Sequence, residues 1–210
     1  MHVSPVAPHP AWAASTTFPT FADLDCTLDE RPRAEDDQDR DLVHRCLSGE
    51  QAATVALVAR YERRLYNIAF RMLGNVQDAE DVAQSVFCNA FLSLASYDPR
   101  YRFFSWIYRM TMNESLNMLK RRRPMVTLNE ELSIPGREPA ADSALEAEDR
   151  VGRALNELNA NDRSLVVLRH FQSLSYDEIA EVLKVAVPTV KSRLFTARER
   201  LRLVLLGQRV

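Results

Sequence analysis

From residue 41 onward, apolar side chains return every three or four positions, the period of helices that bury one face. The spacing predicts a short helix over 41–48, stopped at Gly49, and a longer one over about 50–73. Tyr61, Leu65, Ile68, Ala69 and Met72 make the stripe of the longer helix, and Gly74 suits its C-terminal cap. Asn75 is placed to cap a third helix, whose first turns carry Asp78, Glu80 and Asp81, carboxylates that favour a positive helix N-terminus. Its inner stripe is Ala79, Val82, Ala83, Val86, Ala90 and Leu94, and Pro99 falls in the loop beyond. A fourth helix is expected from Ser105 to about residue 123, stopped by Pro124.

Residues 124–142 break the pattern. Pro124, Pro135, Gly136 and Pro139 fall there with little periodicity, which reads as a flexible linker that lets its two sides tumble semi-independently. Helical spacing resumes near Ser143, with Leu145, Val151, Leu155 and Leu158 on one face, followed by a helix over about 162–170. The strongest local signal is Ser175-Tyr176-Asp177-Glu178, a capping box, with Leu174 and Ile179 placed as a hydrophobic staple. That helix ends near Leu183. After a short connection Pro188 fits a first helical turn, and the last helix buries Val190, Leu194, Ala197 and Leu201. A helix, a tight turn and a basic amphipathic helix are the sequence form of a helix-turn-helix. The expected architecture is all-α: a disordered, proline-rich acidic arm over 1–38, a helical bundle over 39–123, the linker over 124–142, and a helix-turn-helix domain over 143–210.

Composition agrees: only 5 of 210 residues are Gly, too few for a sandwich with many glycine turns. The first 22 residues carry no Lys, Arg, Asp or Glu, but Pro5, Pro8, Pro10 and Pro19 interrupt them. No basic flank precedes an apolar run, so neither a spanning helix nor a secretory signal is expected. Cys26, Cys46 and Cys88 are widely spaced and form no CxxC pair, which argues against a zinc knuckle or a disulfide framework and for a cytoplasmic location. The net charge of −2 conceals a partition: −5 over 1–40, +4 over 41–123, −6 over 124–149 and +5 over 150–210. Two basic blocks alternate with two acidic ones, and the basic blocks are candidates for nucleic acid contact.

The last helix carries the clearest candidate surface. At ~100° per residue, Lys191, Arg198 and Arg202 fall on one flank of the buried stripe and Thr189, Arg193 and Arg200 on the other. Ser192, Phe195, Thr196 and Glu199 form a crest pointing away from the core. Cationic flanks meet phosphate walls while a polar crest meets base edges in a major groove. A second cluster, Tyr97-Asp98-Pro99-Arg100-Tyr101-Arg102-Phe103-Phe104-Ser105-Trp106 with Tyr108 and Arg109, interleaves aromatic rings with arginines. Such rings stack unpaired bases and such cations hold a single strand, although Phe103 and Trp106 are better suited to the core.

These residues resemble a known family. Asp78-Ala79-Glu80-Asp81-Val82-Ala83-Gln84-Ser85-Val86-Phe87 resembles the conserved region 2 helix of bacterial sigma factors of the sigma-70 family. Ser105-Trp106-Ile107-Tyr108-Arg109-Met110 with Asn113 is similar to the motif that follows it in the extracytoplasmic-function group. Leu174-Ser175-Tyr176-Asp177-Glu178-Ile179-Ala180 and Pro188-Thr189-Val190-Lys191-Ser192-Arg193-Leu194 resemble region 4 of that group. Lys184 and Val185 stand in a turn where members often have glycine, and Thr196 stands where many have arginine.

The resemblance implies a factor that binds core RNA polymerase, brings it to promoter DNA and helps open the duplex. It implies polymerase contacts at Asp78, Asp81, Gln84 and Phe87. It also implies capture of a flipped −10 base by the loop and helix bearing Tyr97, Arg100, Tyr101, Arg102, Arg109 and Asn113, with Tyr97 and Asn113 nearest. The −35 element would be read by Thr189, Lys191, Ser192, Arg193, Phe195, Thr196, Arg198 and Arg200. An anti-sigma partner is implied as well. No cofactor, metal, small-molecule substrate or direct membrane insertion is expected.

An enzyme is disfavoured, since the chain has no HExxH, no GxxxxGK and no GxGxxG, and its four histidines are scattered. A stand-alone helix-turn-helix regulator with a helical sensory domain is the main alternative, and a helical interaction protein without a DNA role is a third. Dependence of promoter binding on polymerase separates them.

Overall fold

The computed structural model describes residues 33–126 and 143–207, and every regular element among them is helical. Eight helices follow one another: α1 Arg33–Leu47, α2 Gln51–Leu73, α3 Val76–Ser93, α4 Phe103–Val126, α5 Ser143–Asn156, α6 Ala160–Val166, α7 Tyr176–Leu183 and α8 Val187–Leu205. Helices α1–α4 form the first unit and α5–α8 the second. Residues 1–32 of the expected arm and 127–142 of the expected linker lie outside the described residues.

The first unit is built around α2. Its expected stripe is buried, and Gly74 closes it in the left-handed region at φ 70°, donating its N–H to the Phe70 carbonyl. The Asn75 side chain then accepts from the Asp78 amide at 3.0 Å and starts α3. A 3-10 turn, Leu94–Ser96, leads into the aromatic loop. Tyr61, Phe103, Phe104 and Tyr108 meet edge to face in the core, with centroids 5.4–6.2 Å apart.

Two boundaries differ from the expectation. Helix α1 begins at Arg33, taking in residues 33–38 that were assigned to the arm, and before the expected start at Asp41. Long-range bonds explain it. Asp39 is buried, accepts from the Tyr61 hydroxyl and pairs with Arg60 at 2.8 Å, while Glu35 pairs with Arg60 and Arg64. Helix α4 runs through Pro124 to Val126 rather than stopping before it.

In the second unit, α6 is capped by Asn159, whose side chain accepts from the Asp162 amide at 2.9 Å. It passes into a π-helical stretch, Val167–Phe171, where a continuous helix over 162–170 was expected. The capping box of α7 has both bonds: the Glu178 amide donates to Ser175 Oγ at 3.2 Å, and the Ser175 amide donates to Glu178 Oε2 at 2.8 Å. Lys184 ends α7 in the left-handed region at φ 53°, and Pro188 sits in the first turn of α8.

The two units pack against each other, where semi-independent domains were expected. One apolar core runs from α2–α4 into α6–α8. Polar bonds cross the same boundary. Arg163 Nη1 donates to the Met72 carbonyl at 2.7 Å, and Tyr108 Oη donates to Gln172 at 3.3 Å. Arg71 lies 4.7 Å over the Phe171 ring.

Candidate nucleic-acid interface

Helix α8 presents the face that its spacing forecast. Val190, Leu194, Ala197 and Leu201 are buried, while Ser192, Phe195, Thr196 and Glu199 are exposed, Phe195 at 69%. Ser192 Oγ donates to the Thr189 carbonyl and Thr196 Oγ1 to the Ser192 carbonyl, both at 3.2 Å, so the crest hydroxyls spend their protons on the helix and offer lone pairs outward. The flanks are less uniform. Lys191 and Arg193 are exposed; Lys191 lies 5.9 Å from the Tyr176 ring centroid. Arg198 is half-buried and donates to His170 Nε2 at 3.3 Å. Arg200 pairs with Asp162 at 3.5 Å. Thr189 is half-buried.

His170 therefore accepts through Nε2 and is neutral. Burial, then the Arg198 and Arg169 cations, push its pKa down to about 4.

In the aromatic loop the structure sorts the rings. Tyr97 is 8% exposed; its ring meets those of Phe103 and Trp106 at 5.5 Å and its hydroxyl donates to the Tyr101 carbonyl at 2.6 Å. Burial pushes its pKa up to about 12. Tyr97, expected nearest a captured base, is thus packed edge-on against Phe103 and tilted against Trp106. Tyr101, at 55% exposure, is the ring that faces outward. Phe103 is buried and Trp106 half-buried, as their size suggested.

The cations of this cluster divide as well. Arg100 is exposed and pairs with Asp98 at 2.6 Å; the Arg100 hydrogen bonds hold the Asp98 carboxyl below its usual range. Arg102 and Arg109 are turned across the unit boundary. Arg102 Nη1 donates to Glu178 Oε1 at 2.7 Å and its Nε lies 3.3 Å from Asp36. Arg109 donates to the Val182 carbonyl at 3.0 Å and the Glu181 carbonyl at 2.5 Å, capping the C-terminus of α7. Asn113 is exposed, and with Arg109, Thr189 and Arg193 it lines a cleft of about 260 Å³ between the units.

On α3, Asp81 and Gln84 are exposed, Asp78 is ion-paired with Arg122, and Phe87 stacks on Phe91 at 6.2 Å. Sequence reasoning missed Leu92, which is 86% exposed. It falls eight residues after Gln84 and outside the inner stripe, a signal that helical periodicity carries. It also missed Asp36 and Glu178 as partners of Arg102, for which no local signal exists.

Two family models match the chain, Sigma-70 region 2 over residues 57–124 and Sigma-70, region 4 over residues 148–201. The ECF RNA polymerase sigma factor SigW of Bacillus subtilis (strain 168) is 32% identical over 169 residues, covering 73% of this chain and 89% of that protein. The ECF RNA polymerase sigma factor SigE of Mycolicibacterium smegmatis is 36% identical over 165 residues, covering 74% of this chain and 63% of that protein. Among solved structures, CnrH in complex with the cytosolic domain of CnrY is 27% identical with a TM-score of 0.64, covering 82% of this chain and 99% of CnrH. The sigma factor RpoE of Bartonella quintana, solved with the anti-sigma factor NepR, shares the fold at 24% identity and a TM-score of 0.61, covering 73% of this chain and 97% of that one.

A region 2 bundle followed by a region 4 helix-turn-helix defines a promoter-directing subunit of RNA polymerase. The chain belongs to the extracytoplasmic-function group of the sigma-70 family. Because both units match sigma regions, the stand-alone regulator is set aside. No described helix is long and apolar enough to cross a membrane.

Proposed function

We propose a division of labour for the sigma activity among three surfaces. The observation that carries it is the combination of an exposed polar crest on α8 with an exposed aromatic, Tyr101, beside Arg100 on the other unit. The α8 crest reads −35 base edges through Ser192, Phe195 and Thr196, while Lys191, Arg193 and Arg200 hold phosphates. Thr189, in the first turn, and Arg198, through His170, position the helix. Tyr101 stacks a flipped −10 base with Arg100 alongside, and Asn113, ten residues into α4, meets the strand further along. Tyr97 supports that loop from beneath. Unstacking a base costs a few kcal/mol and stacking on an aromatic returns roughly 1–3. The exposed face of α3, with Asp81, Gln84 and Leu92, docks on core polymerase. Asp78 and Phe87 shape that face through Arg122 and Phe91.

The chain acts in the cytoplasm, without catalysis of its own, and an anti-sigma protein restrains it. The proteins solved with partners, CnrH with CnrY and RpoE with NepR, support that last point by their likeness.

Permanganate footprinting of the promoter complex tests the assignment. Tyr101→Ala should reduce open-complex formation about tenfold, the equivalent of one lost stack, and a pre-melted promoter should rescue it. Tyr97→Phe should leave footprinting near wild type, since the ring is kept. The reverse ranking would return base capture to Tyr97.

A further inference from the structure

We propose that His170 is a positioning residue for promoter binding: its ring nitrogen Nε2 holds the Arg198 guanidinium so that the free end of that group meets a phosphate of the −35 duplex. The proposal deepens the reading of α8 given above and rests on it.

His170 stands on firmly held backbone. It lies on the π-helical stretch Val167–Phe171, where i→i+5 bonding widens the turn and re-aims the side chains that follow. Val167 and Leu168 anchor that stretch in the core. Two bonds close its far end: the Leu174 amide donates to the Leu168 carbonyl at 3.1 Å, and Arg169 Nη1 donates to the Leu174 carbonyl at 2.8 Å. The ring meets α8 at Arg198, two turns beyond Lys191 on the same flank.

Arg198 Nε donates to His170 Nε2 at 3.3 Å, which places the ring proton on Nδ1. A guanidinium is planar, so holding Nε sets the plane of the whole group and leaves Nη1 and Nη2 as a fork at its end. Among the described residues Arg198 has no carboxylate partner and no second hydrogen bond. The fork is therefore unspent, and its two N–H groups match the oxygens of a phosphate.

The kind of acceptor matters as much as its position. Arg200 and Arg202 are held by the Asp162 and Glu199 carboxylates, which cancel charge as they orient. His170 orients without cancelling: its burial, then the Arg198 and Arg169 cations, keep the ring uncharged at neutral pH. Arg198 thus offers a whole positive charge with one nitrogen already placed, and less rotamer freedom is left to lose on binding DNA.

The experiment uses the full chain with core polymerase and reads promoter affinity against salt concentration. Arg198→Ala should weaken binding about tenfold, equally for all −35 sequences, and lower the salt slope by about 1. His170→Leu, which fills the space without an acceptor, should reproduce most of that loss, roughly three- to tenfold. His170→Gln, which offers Oε1 instead, should restore binding to within about twofold of wild type. In the Arg198→Ala background His170→Leu should add nothing. Arg198→Lys leaves the histidine untouched, so it decides the matter even where the leucine variant fails to fold. It keeps the charge, yet it should lose roughly three- to tenfold, because the fork is gone. Full binding by Arg198→Lys, an equal loss in His170→Leu and His170→Gln, or losses that add in the double variant would overturn the role of His170. Substitutions at Ser192 and Thr196 separate this from the wider reading. A −35 base preference that they leave untouched refutes the assignment of α8 and the proposal with it; one that they shift, beside additive losses, refutes the positioning alone.

Discussion

The two units solve the same problem, burying one face of several helices, with different materials. The first uses long helices, 23 residues in α2 and 24 in α4, around an aromatic centre of Tyr61, Phe103, Phe104 and Tyr108. The second sets two short ones, 7 residues in α6 and 8 in α7, between the longer α5 and α8, around Leu, Val and Ile, and fixes the starts of the short pair with side-chain caps at Asn159 and Ser175. Helices that short are unstable alone, so capping and packing must supply what length does not. Bulk fixes the first unit and local hydrogen bonding fixes the second.

The largest effect expected from breaking that contrast is in the core. Phe103→Ala should cost ~3–5 kcal/mol and Leu194→Ala ~2–5, measured by urea unfolding. Because one apolar core joins the units, each variant should lower a single transition shared by far-ultraviolet dichroism and tryptophan fluorescence. Two separated transitions would mean that the units unfold independently.

Acid should divide the units next. The folded pKa of His170 lies near 4 against an ordinary 6.5, so protons bind the unfolded chain more tightly. The joined fold should lose stability through the second unit as pH falls below 6.5, by at most about 2 kcal/mol between pH 7 and 5. Asp39 has the opposite sign. Burial raises its pKa, so its contribution is fully present below the unfolded value of 3.8 and is lost as pH rises through the folded pKa. Unfolding of wild type and His170→Gln at pH 7 and pH 5 measures the difference; an equal loss in both would exclude His170 as the source.

The smallest effect should be at the turn between α7 and α8. Lys184 occupies the left-handed region, where a Cβ costs ~1–2 kcal/mol. Lys184→Gly should raise thermal stability by up to about 1 kcal/mol, after the larger unfolded-state freedom of glycine is subtracted. A loss of stability would show that the lysine stem contributes more packing than its backbone costs.

How far the sequence reached follows from the same contrast. Ser175 and Glu178 lie three residues apart, so the cap of α7 was legible, and so was the buried stripe of α8. Asn75 and Gly74 marked a helix junction in the same way. Helix α1 was misplaced because its start depends on Asp39 meeting Tyr61 and Arg60, more than twenty residues away. The aromatic cluster was recognised as a group, but periodicity does not tell which ring of Tyr97 and Tyr101 faces inward; that is decided by Phe103 and Trp106 closing over one of them. The contact between units was invisible for the same reason: Arg102 and Glu178 are 76 residues apart.

The placement of Glu178 has an entropic consequence. A free glutamate gives up as much as ~1.5–2 kcal/mol of rotamer freedom when it is held in one conformation, which is one reason that surface ion pairs contribute so little. Here the capping box has already fixed the side chain before the units meet, with Oε2 on the Ser175 amide and Oε1 left pointing outward. Arg102 thus meets a carboxylate that is preorganised by the helix it caps, and only the arginine has ordering left to lose. The same four residues that start a short helix also prepare the surface on which a distant part of the chain comes to rest.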